Sequence, residues 1–95
     1  MDYNFIGIIE RCHTQRRGCG GLITLATIKP EEDKIQSKVR LGEIPTVNFP
    51  GRHILMAGQR IGVRCSRADG YWVEHYAILD DHNAVLYSSD VTNSE

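Results

Sequence analysis

Long apolar runs are missing from this chain. Its unbroken apolar stretches, such as Ile54-Leu55-Met56-Ala57, fall far short of the roughly 20 residues a membrane helix needs, so no membrane partner is expected. The first residues, Met1-Asp2-Tyr3-Asn4, lack the basic start and long apolar segment of a secretory signal. The expectation is a protein that stays where it is made, in the cytoplasm. Cysteine is scarce and odd in number, three in all. An odd set cannot pair off within one chain, and a reducing compartment keeps thiols free, so no structural disulfide is expected. Lysine and arginine are absent after residue 67.

What is present is ordinary globular material. Apolar residues make up 41% and charged residues 24% of 95 residues, which excludes a disordered chain and leaves room for only one core. The formal net charge of -1 argues against a protein that coats nucleic acid by bulk positive charge. That average hides a division: residues 1 to 67 hold all 11 Lys and Arg against six acids, while residues 68 to 95 hold six acids and no Lys or Arg. Such segregation suits a nucleic-acid face with an acidic end, or an internal match between neighbouring strands.

Strand signals dominate. The run from Asn4 to Cys12 leaves a core, His13 to Gly21 is a glycine-rich turn, and Leu22 to Ile28 is a strand buried in places on both faces. Pro30 is expected to stop that strand, because it brings no N–H to a ladder, and Glu31 to Lys38 to follow as a solvent-facing loop or helical turn. Val39 to Val47, interrupted by Gly42 and Pro45, reads as an edge or bulged strand, and Asn48 to Gly58 as an excursion returning the Ile54-Leu55-Met56 patch to the core. Arg60 to Ser66 alternates cleanly, with Ile61, Val63 and Cys65 on one face. Ala68-Asp69-Gly70 supplies a turn to Tyr71–Leu79, whose inward set the alternation leaves open. Residues 84–87 form a short last strand, and 88–95 a polar tail that frays. Five or so short strands in one domain, 1–87, predict an all-β fold, a small five-stranded OB-like barrel, with an open sandwich as the alternative.

Two segments carry a resemblance. Gly7-Ile8-Ile9 followed by Arg17-Gly18-Cys19-Gly20-Gly21-Leu22-Ile23-Thr24, and later Gly58-Gln59-Arg60-Ile61-Gly62-Val63-Arg64 with Ala77-Ile78-Leu79, resemble the opening and closing strand pairs of cold-shock domains. The resemblance covers about half of the chain, and it implies an OB-type barrel that binds single-stranded RNA or DNA on an exposed sheet face. Cys19 and Gly21 stand where that family carries stacking aromatics on its second strand.

The candidate binding residues are arginines. Arg11, Arg16 and Arg17 surround the first turn, and Arg52, Arg60, Arg64 and Arg67 lie in or beside the fourth strand. Arg60 and Arg64 project from one strand face about 13 Å apart, close to two phosphate spacings of an extended strand. Pairing of both across the hairpin with Glu74 and other acids is the structural alternative. Tyr71, Trp72 and Tyr76, then Phe5 and Phe49, are the aromatics available for stacking. Trp72 leads, with a cation-π contact to Arg64 expected.

Cys12, His13, Cys19, Cys65 and His75 lack any paired C-x-x-C knuckle, so no metal and no cofactor is expected. No nucleophile elbow, phosphate-binding loop or metalloprotease motif organises the remaining residues, and adjacent Cys12 and His13 point to opposite faces of an extended strand, so no enzyme is expected. Two functions stand side by side. One is a small protein that binds single-stranded nucleic acid through arginines; the other is a protein-interaction module or inhibitor, docking on another protein or on its own copy.

Overall fold

The computed structural model describes residues 3–66 and 70–91. They form six antiparallel strands in one sheet: β1 (Phe5–Arg16), β2 (Leu22–Ile35), β3 (Thr46–Pro50), β4 (Arg60–Cys65), β5 (Val73–Leu79) and β6 (Val85–Asp90), in the order β3-β2-β1-β4-β5-β6. The described residues contain no helix, and so none that could cross a membrane.

One apolar core collects side chains from five strands: Phe5 and Ile9, Ala26 and Ile28, Val47 and Phe49, then Ile61, Val63 and Cys65, and Val73, Tyr76 and Ile78. Each large side chain so buried contributes about 1.5–3 kcal/mol. A second, smaller cluster sits on the opposite face, where Ile6, Ala77 and Leu79 pack under Tyr3. This explains why the Phe5-to-Ile9 run does not alternate: both faces of the first strand are covered there. Gly62 lies between Ile6 and Ala77 in the ladder, and a Cβ on it would stand 2.8 Å from the Tyr3 ring. The ring can cross the sheet there only because residue 62 has no side chain.

The hairpin of β1 and β2 is longer than the sequence predicts. β1 runs through His13 to Arg16, and the turn shrinks to residues 17–21, closed by the Arg17 amide donating to the Gly21 carbonyl at 2.7 Å. β2 does not stop at Pro30, which pairs with Gly7 and is buried, but continues to Ile35. β3 pairs with β2 only from Ile23 to Thr27. Beyond that point β2 is an edge strand with β1 as its one neighbour, and an edge tolerates a residue without an N–H.

Val39 to Pro45 is a connection instead of a strand, with Val39 buried, a turn at Leu41-Gly42, and β3 beginning only at Thr46. The following excursion returns Leu55 alone to the core and leaves Ile54 and Met56 exposed. His53 pins it: its ring lies 3.0 Å from the Tyr76 hydroxyl and 2.9 Å from the Pro50 carbonyl. A carbonyl can only accept, so in the neutral ring Nε2 donates to Pro50 and Nδ1 accepts from Tyr76.

The alternation of β4 is as expected, with Ile61, Val63 and Cys65 buried. Its partner strand switches faces. A register shift between Arg64 and Cys65 sets Val73, Tyr76 and Ile78 inward together, so neither alternating set of Tyr71–Leu79 is the inner one. β6 reaches Asp90, taking three residues of the segment expected to fray into a sixth strand. The expected turn at 68–70 falls largely outside the described residues.

Candidate nucleic-acid interface

Arg60 is fully engaged within the molecule. Its Nε and Nη2 donate to the two carboxylate oxygens of Glu31 at 2.6 and 2.9 Å, and its Nη1 donates to the Asp80 carbonyl at 2.9 Å and to the Asn83 side-chain oxygen. The hydrogen bonds that Arg60 donates to the Glu31 carboxylate raise the guanidinium pKa further above its usual range. Such a fork joins β2, β4 and the β5–β6 turn, and leaves little for a phosphate to bind. The partner is Glu31 in place of the expected Glu74, and Glu31 is on hand because β2 runs past Pro30. Arg64 takes Glu74, at 3.7 Å, between two half-exposed side chains. The expected phosphate track along β4 is therefore occupied at one end and partnered at the other.

The first turn is different. The Arg17 guanidinium carbon lies 5.3 Å from the centre of the Trp72 ring, so the cation on Trp72 is Arg17 and not Arg64. Both residues are held by their backbones. Arg17 donates its amide to Gly21 and accepts from the Gly20 amide at 3.0 Å, in a turn that places Gly20 at φ 102°, where only glycine is free of strain. Trp72 stands just before β5, makes an isolated parallel bridge to Asn48 of β3, and accepts from the Ser66 amide at 2.8 Å.

Arg16 and Arg52 border the same place. Arg16 is opposite Leu22 in the ladder, and the Leu22 carbonyl accepts from the Gly51 amide at 2.9 Å, next to Arg52. His53, on the other side of Arg52, donates its amide to Thr24 Oγ1 at 3.0 Å. Residues 11–30 and 44–66 contain no Asp or Glu, and no ion pair among the described residues involves Arg11, Arg16, Arg17 or Arg52. Arg11 is exposed on β1, at a register shift several residues below the turn. Arg67 lies outside the described residues.

The other aromatics are spent elsewhere. Phe5, Phe49 and Tyr76 are core, the last two packed edge to face at 5.2 Å. Tyr71 donates its hydroxyl to Glu43, which pushes the phenol up to about 12 and pulls the Glu43 carboxyl below its usual range. That bond ties the Val39–Pro45 connection to the residue preceding Trp72. Cys19 is exposed in the first turn, while burial pushes the Cys65 thiol up to about 11, the opposite of an activated nucleophile. Among the described residues no group of three or more His, Cys, Asp or Glu is gathered closely enough to hold a metal ion.

Sequence reasoning missed the two pairings that matter most here, Arg17 with Trp72 and Arg60 with Glu31. The acid-free stretches on either side of Arg16, Arg17 and Arg52 are the readable signal for the first; the second has none, because a strand that ends at Pro30 leaves Glu31 in a loop. No family model, curated protein or solved structure matches the chain.

Proposed function

We propose that the chain is an OB-like barrel that binds single-stranded nucleic acid at the first turn, through the Arg17–Trp72 stack with Arg16 and Arg52 beside it. The barrel reading rests on the strand order together with the parallel bridge from Asn48 to Trp72, which brings β3 against the start of β5, and on the single core shared by β1 to β5. The cold-shock resemblance is in keeping with that connectivity, although Cys19 and Gly21, which stand where the family carries its aromatics, lie in the first turn ahead of β2.

The observation that carries the binding reading is a guanidinium laid on an indole and engaged in no ion pair among the described residues. An arginine whose charge is not answered by an acid is available to a phosphate, and its planar fork suits bidentate contact. A base stacked on the same ring adds about 1–3 kcal/mol. Three arginines neutralising three phosphates give a salt slope near -2 for a single strand, by the usual factor of about 0.7 per phosphate.

Fluorescence anisotropy of labelled single-stranded RNA and DNA, at low and physiological salt, tests this with emission from Trp72, the sole tryptophan, followed in parallel. Saturable, salt-weakened binding that quenches Trp72 is the expected result. Absence of binding at low salt, or binding without any change in Trp72, overturns the proposed site.

A further inference from the structure

β3 and β6 end the sheet order, and they are protected very differently. β3 is five residues long, closes on Pro50, and meets Trp72 on its outer side. β6 has β5 on one side and no strand partner on the other among the described residues. Val85, Leu86 and Tyr87 follow one another along it at 55, 67 and 56% exposure. Edge strands are ordinarily blunted by lysine, proline or a short length, because a row of unpaired N–H and C=O groups templates further pairing. The sequence of β6, VLYSSD, contains neither lysine nor proline.

The register slips once, at Leu86, between the pairs Ile78 with Tyr87 and Leu79 with Val85. The regular part of the edge is therefore Tyr87 to Asp90. Along it the two faces differ in chemistry. Tyr87 is paired with inward-facing Ile78, and its ring is held 6.1 Å from that of Tyr76. Asp90 is on the other face, 2.7 Å from His75, with its side chain still 81% exposed.

We propose that β6 accepts an extended basic segment of a partner protein as a seventh strand. Charge selects this occupant. In residues 70–91, which hold no Lys or Arg, Arg64 answers Glu74 and Asp80 accepts from amides of its own turn, while Asp81 and Asp90 remain as acids near or on the strand, so a second copy pairing β6 with β6 brings like charge to like. A segment alternating apolar and basic residues sets the apolar ones over Tyr87 and the cations beside Asp90, while its backbone satisfies the open edge. The proposal does not rest on the Arg17–Trp72 stack, and the two assignments stand or fall independently.

The test uses the full chain with three eight-residue peptides: alternating Lys-Val, alternating Glu-Val, and Lys-Val methylated on alternate backbone nitrogens. NMR shifts and amide exchange locate any contact. The Lys-Val peptide is expected to bind at β6 and slow exchange of its outward amides at least tenfold, with at least tenfold weaker binding of both other peptides. Equal binding of the methylated peptide overturns strand addition, because that peptide keeps the charge and loses the ladder. Equal binding of Glu-Val overturns the charge argument, and shifts confined to residues 16–22 overturn the location. Dimerisation of the chain alone with β6 amides protected assigns the edge to a second copy and overturns the proposal. The double variant Leu86→Lys, Tyr87→Lys is expected to lose the Lys-Val contact; should it not fold, the methylated peptide still decides.

Discussion

Arg60 and Arg17 are the same residue type in one small sheet, and they have opposite uses. Arg60 sits where three elements converge and gives its hydrogen bonds to Glu31, to the Asp80 carbonyl and to Asn83. Arg17 sits in a turn, makes no ion pair among the described residues, and rests on an indole. A guanidinium surrounded by acceptors holds the fold together; one without acceptors is free to take a ligand's. Counting arginines on a strand does not distinguish the two, whereas listing each one's acceptors does.

The largest effect is expected from cutting the saturated corner. Arg60→Ala leaves the partly buried Glu31 carboxylate without its two charged donors, a loss of about 2–3 kcal/mol, and it lowers the midpoint of thermal unfolding by roughly 10 °C. Thermal denaturation followed by circular dichroism measures it. Nucleic-acid affinity of the folded variant should stay unchanged. A large loss of affinity with unaltered stability would reverse the roles assigned to the two arginines.

Trp72→Ala comes next and works the other way. Removing the ring takes away the stacking surface and Arg17's rest, and should weaken single-strand binding by about 1–3 kcal/mol, five- to 150-fold. The backbone contacts at residue 72, to Asn48 and Ser66, do not need the indole, so stability should fall less than in Arg60→Ala. A titration by anisotropy beside a urea melt separates the two quantities.

How far this contrast could be read in the sequence depended on distance along the chain. Ile61, Val63 and Cys65 alternate strictly, so the inner face of β4 and the outward arginines were legible without coordinates. The face switch in β5 was not, because one register shift against β4 moves Tyr76 to the side of Val73. The continuation of β2 through Pro30 was hidden for a different reason: proline is excluded from a paired ladder but tolerated at an edge, and which stretch of β2 is an edge depends on where β3 stops. Arg17 meets Trp72 only because the β1–β2 turn and the start of β5 are brought together across β3. The acidic segment was visible as composition, but its placement as an open edge strand was not.

A smaller, two-sided effect concerns the support beneath Trp72. The Tyr71 hydroxyl donates to Glu43, and the phenol is held near 12 while the carboxylate lies below its usual value. The carboxylate's contribution is present above its unfolded pKa and is lost as pH falls through the lower folded value. The phenol's is present below its unfolded pKa, about 10, and is lost as pH rises towards 12. Buried Cys65 and Tyr76, pushed to about 11 and about 12 by desolvation, add to the alkaline limb only. The urea midpoint should therefore decline between pH 9 and 12, and Tyr71→Phe should flatten part of that decline and part of the acid one. An unchanged profile in Tyr71→Phe would mean that this hydrogen bond contributes nothing to the fold.

The smallest change tests whether the turn acts as a phosphate-binding surface or as a single stack. Arg52 is exposed and makes no ion pair among the described residues, so its removal costs the fold little and its contribution to binding is electrostatic. Arg52→Ala should weaken single-strand binding only about two- to threefold at physiological salt, yet reduce the slope of log affinity against log salt by about 0.7, one phosphate's worth. Folded Arg60→Ala should leave that slope where it was. Equal slopes in wild type and Arg52→Ala would confine recognition to Arg17 and Trp72, and a slope lost in Arg60→Ala but kept in Arg52→Ala would move the phosphate path back to β4.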